Sequence, residues 1–174
     1  MNNDLYLSNI ETPFGKIIVG TVGSAVAIIR FADQNEDDSF VTTFLNESGL
    51  KSNWNKTAFH NKIEKQLNQF FCGKRTSFSF GIKAFGSDFQ LSVWEEIYKT
   101  NLAETLTLKE LAKRVGFLNL KAIERACIAN PVSIVIPSHR VEGITEFKGA
   151  ASRKRLLNRF EQFFRESSSV KIAA

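Results

Sequence analysis

The chain has 174 residues, enough to bury roughly 70% of its unfolded surface without disulfides or a structural metal, in one domain or two small ones. Apolar residues at 43% and charged residues at 24% exclude a wholly disordered chain, and the aromatic content is skewed to 16 Phe against 2 Tyr and 2 Trp. The formal charge of +5 is concentrated in the second half, with +4 over residues 87–174 and +1 over residues 1–86; an excess of this size fits a solvated basic surface as well as an anionic partner.

Cys72 and Cys127 are the two cysteines, too few and too far apart for a disulfide framework or a zinc ligand set, and neither metal nor cofactor is expected. The start lacks a basic segment followed by an apolar run, and no apolar stretch approaches the ~20 residues that span a bilayer. The expectation is a soluble intracellular monomer without a membrane partner.

Leu5–Ile10, Lys16–Val22 and Ala25–Phe31 are rich in β-branched and aromatic residues and are predicted as strands. Thr12-Pro13-Phe14-Gly15 and Gly23-Ser24 separate them as turns. An acidic loop, Asp33 to Asp38, follows. Ala58–Phe71 places Phe59, Ile63, Leu67, Phe70 and Phe71 at helical spacing, and Gly73 ends it. Thr76–Ile82 alternates around Phe78 and Phe80 like a strand, and Lys83–Ser87, with Gly86, is the expected boundary.

Beyond the boundary the pattern becomes helical. Asp88–Thr100 carries Phe89, Val93, Trp94 and Ile97 on one stripe. Thr107-Leu108-Lys109-Glu110 is a capping box that opens a helix over Leu108–Val115, stopped by Gly116. A second helix over Leu120–Ala129 closes at Asn130-Pro131. Two short helices across a Gly-containing turn form a helix-turn-helix candidate. Val132–Ile136 is predicted as a buried strand stopped by Pro137. The last helix, Ala151–Arg165, is predicted to bury Leu156, Leu157, Phe160 and Phe164 and to expose Arg153, Lys154, Arg155 and Arg159, with Ser167–Ala174 frayed. The fold class is therefore α/β (α+β): an N-terminal sheet-plus-helix domain over 1–86, a mainly helical domain over 87–166, and a tail over 167–174.

His139 stands beside Ser138 at the end of the predicted strand, with Glu161 on the last helix as a possible partner. A Ser, His and Glu set invites a hydrolase reading. The flanks Pro137 and His139 are not the Gly-x-Ser-x-Gly elbow that an α/β hydrolase needs. A hydrogen-bonded structural histidine is the competing reading.

The stretch Asn130-Pro131-Val132-Ser133-Ile134-Val135-Ile136-Pro137-Ser138-His139-Arg140-Val141 resembles the active-site signature of the O6-alkylguanine-DNA alkyltransferases. That signature runs Asn-Pro, a short apolar strand, then Pro-Cys-His-Arg-Val. Asp88-Phe89-Gln90 with Val93-Trp94, Glu110-Leu111-Ala112 with Gly116, and Lys154 through Glu161 are similar to further family segments, and Thr12-Pro13-Phe14-Gly15 to its N-terminal turn. The resemblance implies a protein that flips an alkylated guanine out of duplex DNA, exposing an atom that stacking hides, and accepts the alkyl group in a single turnover. It places Ser138 at the acceptor position, His139 as the base acting through water, Glu161 as the residue orienting His139, and Asn130 as a brace for the turn. Arg140 would hold the signature loop and contact DNA. Thr107, Leu108, Lys121 and Arg125 would face DNA, and Phe147, Gly149 and Ser152 would line the substrate pocket.

Departures from the family pattern bear on mechanism. Ser138 replaces the cysteine. A thiol with a pKa of roughly 8.5 can become the reactive thiolate, whereas a serine hydroxyl is a weak nucleophile. Attack on an sp³ alkyl carbon gains nothing from an oxyanion hole. Transfer is therefore expected to be slow or absent. Lys121 stands where an intercalating Arg is usual, Leu108 where a Tyr is usual, and Glu124 where a Gly is usual. The expectation is an alkyltransferase-like protein that recognises O6-alkylguanine in double-stranded DNA and works with other repair proteins, in the nucleus of a eukaryote or the cytoplasm of a bacterium. The alternatives are an active methylated-DNA–protein-cysteine methyltransferase, with an engineered Cys→Ser change or another acceptor such as Cys127, and an interaction module that has lost DNA binding.

Overall fold

The computed structural model describes residues 4–32, 37–144 and 151–170, apart from the side chains of residues 37–38, 151–152 and 167–170. The chain divides into two compact units, one of Met1–Ser87 with Pro131–Val135 and the other of Asp88–Asn130 with Ile136–Ala174.

The first unit is built on β1 (Asp4–Thr12), β2 (Gly15–Val22), β3 (Ala25–Phe31), α1 (Asp37–Ser48), β4 (Lys51–Trp54), α2 (Ala58–Phe71) and β5 (Gly81–Ile82). The strands form one sheet in the order β4-β1-β2-β3-β5. The two hairpins are antiparallel, and the edge strands pair in parallel. The first hairpin closes where the Thr12 hydroxyl accepts from the Phe14 N–H at 3.2 Å and donates to the Gly15 carbonyl at 2.6 Å. Gly15 adopts φ +112°, a region other residues avoid. Val41 and Phe44 of α1 share a core with Leu5, Leu7, Ile18, Val22, Ala27 and Ile28. α2 buries Ile63, Leu67, Phe70 and Phe71. Six consecutive residues of β2 are buried, as in a strand covered on both faces.

His60 is enclosed by this unit. It is the third residue of α2 and accepts at Nδ1 from the Thr57 N–H at 3.1 Å, while Nε2 lies 3.2 Å from the Tyr6 carbonyl. Those partners fix the neutral tautomer with the proton on Nε2. Burial holds its pKa below the ordinary value.

The second unit holds α3 (Asp88–Tyr98), β6 (Leu106–Thr107), α4 (Leu108–Val115), α5 (Leu120–Ile128), a 3-10 turn (Ser138–Arg140), β7 (Val141–Glu142) and α6 (Ala151–Val170). β6 and β7 pair in parallel. Both halves of the predicted capping box are present: the Glu110 N–H donates to Thr107 Oγ1, and Glu110 Oε2 accepts from the Thr107 N–H at 2.6 Å. Gly116 ends α4 at φ +76°, and Asn119 caps α5 through the Ala122 N–H. α3 sets Val93, Trp94 and Ile97 inward, and the Trp94 indole N–H donates to the Ala126 carbonyl at 2.7 Å.

The expected α/β (α+β) fold is present, with several local corrections. α1 and β4 were not anticipated, and the helix begins inside the predicted acidic loop, of which residues 33–36 lie outside the described set. Only Gly81–Ile82 of the strand expected over Thr76–Ile82 pairs with the sheet. Upstream, Gln66 holds Ser79 by two hydrogen bonds, and the Phe78 ring packs on Phe70 at 5.4 Å. The strand expected over Val132–Ile136 is a single parallel bridge, Val132 to Ile29, with the Ile29 N–H donating to the Pro131 carbonyl. Ile134 takes φ +75°, which no extended run allows. α6 continues to Val170, so Ser167–Val170 is helical rather than frayed, and Leu156 is half exposed rather than buried. With Leu157 and Glu161 turned inward at i, i+4, Leu156 is rotated ~100° away.

Candidate functional site

The signature residues meet in the second unit. After Pro137 the chain does not run on extended but turns through Ser138–Arg140, and all three side chains are buried. The expectation that Ser138 and His139 sit at a strand end is thereby corrected to a 3-10 turn. Asn130, at the end of the helix-turn-helix segment, is 2% exposed. Both protons of its amide are engaged, donating to the Ile136 carbonyl at 2.7 Å and to Ser138 Oγ at 2.8 Å. It thus braces the turn across six residues of backbone and orients the Ser138 hydroxyl.

Glu161 arrives from α6 with no exposed surface. His139 Nε2 donates to its Oε1 at 2.7 Å. Arg140 grips the same carboxylate as a fork, Nε to Oε2 at 2.8 Å and Nη2 to Oε1 at 2.9 Å. Burial would raise the Glu161 pKa, but the hydrogen bonds from His139 and Arg140 outweigh it and hold the pKa at about 2. Burial lowers the pKa of His139 against the opposing pull of Glu161, so the ring is neutral with its proton on Nε2 and its lone pair on Nδ1. Such a ring can accept a proton at Nδ1 while Glu161 stabilises the resulting cation. Among the described residues no hydrogen bond joins Ser138 to His139 directly, so a proton passing between them needs a bridging water.

Arg140 was expected to reach DNA as well as to hold the loop. The structure turns it inward, with Nη1 bonded to the Thr100 carbonyl at 2.5 Å and the rest of the guanidinium on Glu161, so it fastens the loop. Lys154, expected on the exposed face, is half-buried and donates to the Val141 carbonyl. Its removal from water lowers its pKa, partly offset by Glu142. Cys127 is buried, and that burial pushes its thiol up to about 12 despite the nearby Lys154 charge. A thiol so placed supplies no thiolate at neutral pH.

The residues expected to face DNA divide by position. Thr107, Lys121 and Arg125 are exposed on the helix-turn-helix, and Leu108 is half-buried at the start of α4. Phe147 and Gly149 lie outside the described residues, and Ser152 lies in the first turn of α6 with its side chain outside them. Two residues missed in the sequence complete the site. The Asn158 amide donates to the His139 carbonyl at 2.9 Å, and the Ala103 N–H donates to Glu161 Oε2 at 3.1 Å. Asn158 lies three residues before Glu161 on the same helical face, which was a usable signal; Ala103 contributes only backbone and left none. No cluster of three or more His, Cys, Asp or Glu side chains suited to a metal exists among the described residues. No helix among them is long and apolar enough to cross a membrane.

Residues 88–163 match the family model described as the 6-O-methylguanine DNA methyltransferase DNA-binding domain. A methylated-DNA–protein-cysteine methyltransferase of Methanosarcina acetivorans is 30% identical over 146 residues, covering 80% of this chain and 84% of that protein. One of Mycobacterium bovis is 28% identical over 165 residues, covering 91% and 93%. The Mycobacterium tuberculosis OGT structure in complex with DNA superposes with a TM-score of 0.77 at 27% identity, over 91% of this chain and 94% of that one. The expected resemblance is thus carried by sequence and fold together, and the chain belongs to the methylated-DNA–protein-cysteine methyltransferase family.

Proposed function

We propose that this protein binds O6-alkylguanine in duplex DNA, takes the base out of the stack, and retains it without accepting the alkyl group at an appreciable rate. The observation that carries the reading is the buried hydroxyl of Ser138, held by Asn130 and next in the turn to the His139–Glu161–Arg140 network. The named relatives are protein-cysteine methyltransferases. Here the buried residue between Pro137 and His139 is a serine, and Cys127 is held protonated by burial.

The geometry supports the following chemistry. Neutral His139 offers a lone pair on Nδ1, and Glu161 with Arg140 holds the ring in one tautomer. That arrangement suffices to deprotonate a thiol with a pKa of roughly 8.5 through water. An alcohol is a far weaker acid and a weak nucleophile, and attack at a saturated carbon gains nothing from an oxyanion hole, so Ser138 stalls. Thr107, Lys121 and Arg125, exposed on the helix-turn-helix over the region 87–166, supply the DNA-facing groups, with Lys121 filling the vacated stack. The protein acts inside the cell, where its DNA substrate is.

Incubating the protein with duplex carrying O6-methylguanine and measuring intact mass tests this reading. The expected result is an unmodified chain with the lesion retained in the DNA. A gain of one methyl per chain would overturn it. A second reading, an interaction module, is favoured by the exposed apolar turn of Phe117, Leu118 and Leu120. Absence of duplex binding at low salt would select it.

A further inference from the structure

The Glu161 carboxylate is held from three sides, and one of them is a strained turn. Ionised carboxylate oxygens offer about four lone-pair sites. All four are filled: Oε1 accepts from His139 Nε2 and Arg140 Nη2, and Oε2 from Arg140 Nε and the Ala103 N–H. The turn that carries Ala103 links α3 to β6. It is tied by the Glu104 N–H to the Asn101 carbonyl at 3.2 Å and by the Asn101 amide to Glu104 Oε2 at 2.9 Å. The same turn presents the Thr100 carbonyl to Arg140 Nη1. Ala103 lies at φ +59°, a left-handed conformation in which an L side chain is strained. Relaxing φ would move either the Ala103 amide or β6, which enters its pairing with Val141 immediately afterwards. Strain kept at a residue whose amide meets the buried carboxylate points to a role at the site.

We propose that the turn Thr100–Glu104 is a positioning element for His139, and that Ala103, through its backbone N–H, is a positioning residue that completes the clamp on Glu161. This rests on reading Ser138, His139 and Glu161 as the alkyl-acceptor site. By filling the last acceptor position on Oε2, the turn prevents the carboxylate from rocking and keeps His139 in the tautomer with the lone pair on Nδ1. The charged groups facing His139 are Glu161 and Lys154 from α6 and Arg140 from its own turn. Ala103 acts through the first of these.

Histidine nitrogen NMR across a pH titration of the full-length protein tests the proposal, with Ala103→Gly and Ala103→Val compared. Glycine keeps the donor and removes the strain, so the His139 titration and tautomer should match wild type while the thermal midpoint rises. A β-branched residue resists left-handed backbone and should turn the amide away. Glu161 then becomes the stronger acceptor and water enters, so the His139 titration should move upward and its tautomers mix. In a Ser138→Cys background, methyl transfer should fall on the order of tenfold to a hundredfold with Ala103→Val and hold with Ala103→Gly. An unchanged His139 titration in a natively folded Ala103→Val would overturn the proposal. Should that variant fail to fold, hydrogen exchange of the wild-type Ala103 amide decides: protection well above an open turn supports the clamp, and open-turn exchange refutes it. If Ser138→Cys alone transfers nothing, the acceptor-site reading fails, while the His139 titration still decides the clamp.

Discussion

Glu161→Gln is the most informative single change. In the wild type the carboxylate meets four donors and no acceptor. An amide of the same shape keeps one oxygen but in either orientation turns its NH2 group onto an Arg140 N–H, which can only donate, and it leaves the buried guanidinium without a counter-charge. The depression of the Glu161 pKa from 4.5 to about 2 corresponds to roughly 3 kcal/mol of folding stability at neutral pH. Breaking a buried ion pair from one side costs about 3–5 kcal/mol by a separate route, in agreement. The folded-state pKa lies below the unfolded one, so this stability is present above about pH 4.5 and is lost as the pH falls towards about 2. His139 and His60 act earlier. Burial lowers both, so the unfolded chain binds protons more readily and stability begins to fall below the ordinary histidine value of 6.5. Denaturant unfolding of wild type and Glu161→Gln near about pH 7 and about pH 3 measures the difference. We expect roughly 3 kcal/mol near neutrality, narrowing near about pH 3 because the carboxyl protonates in the unfolded chain while it stays ionised in the folded one. A variant within about 0.5 kcal/mol of wild type near neutrality would refute the account of Glu161 as an ionised, four-donor anchor.

Ser138→Cys should restore methyl transfer from O6-methylguanine duplex, read as one added methyl per chain by intact mass, because the His139–Glu161 pair is already assembled. Lys121→Ala should weaken duplex binding, while Lys121→Arg and Glu124→Gly should tighten it, as followed by titration; the planar guanidinium stacks on bases and an ammonium does not. Wild-type binding should fall with salt along a shallow slope, because few phosphates are neutralised. Gly20→Ala should cost about 1–3 kcal/mol in chemical denaturation, since a Cβ there would meet Ile28 Cβ and Leu5 Cδ1 at 3.0 Å within the sheet core.

The parts of this molecule that were legible in the sequence are those where local chemistry decides the structure. Thr107 and Glu110 can satisfy each other's backbone donors only at a helix start, and Gly116 supplies the left-handed residue that ends α4. His139 and Glu161 were paired on the resemblance, and the 3-10 turn and α6 bring them to 2.7 Å. The failures fall where tertiary context overrides pattern. Val132–Ile136 is apolar enough for a strand, yet Ile134 at φ +75° breaks the run, leaving one bridge to Ile29. α1 is weakly amphipathic and starts in an acidic stretch, so its packing through Val41 and Phe44 was invisible until the sheet was present. Arg140 could not be assigned inward without knowing that Thr100 and Glu161 converge on it. Ala103 contributes an amide, which side-chain patterns do not encode.

Recognition of an alkylated base without its repair is decided by a binding titration. Matched duplexes with and without O6-methylguanine are titrated with the wild-type protein at low and at near-physiological salt. The alkylated duplex should be preferred at both salts, with weaker binding to both duplexes as salt rises. Equal affinity for the two duplexes, or binding to neither, would contradict it.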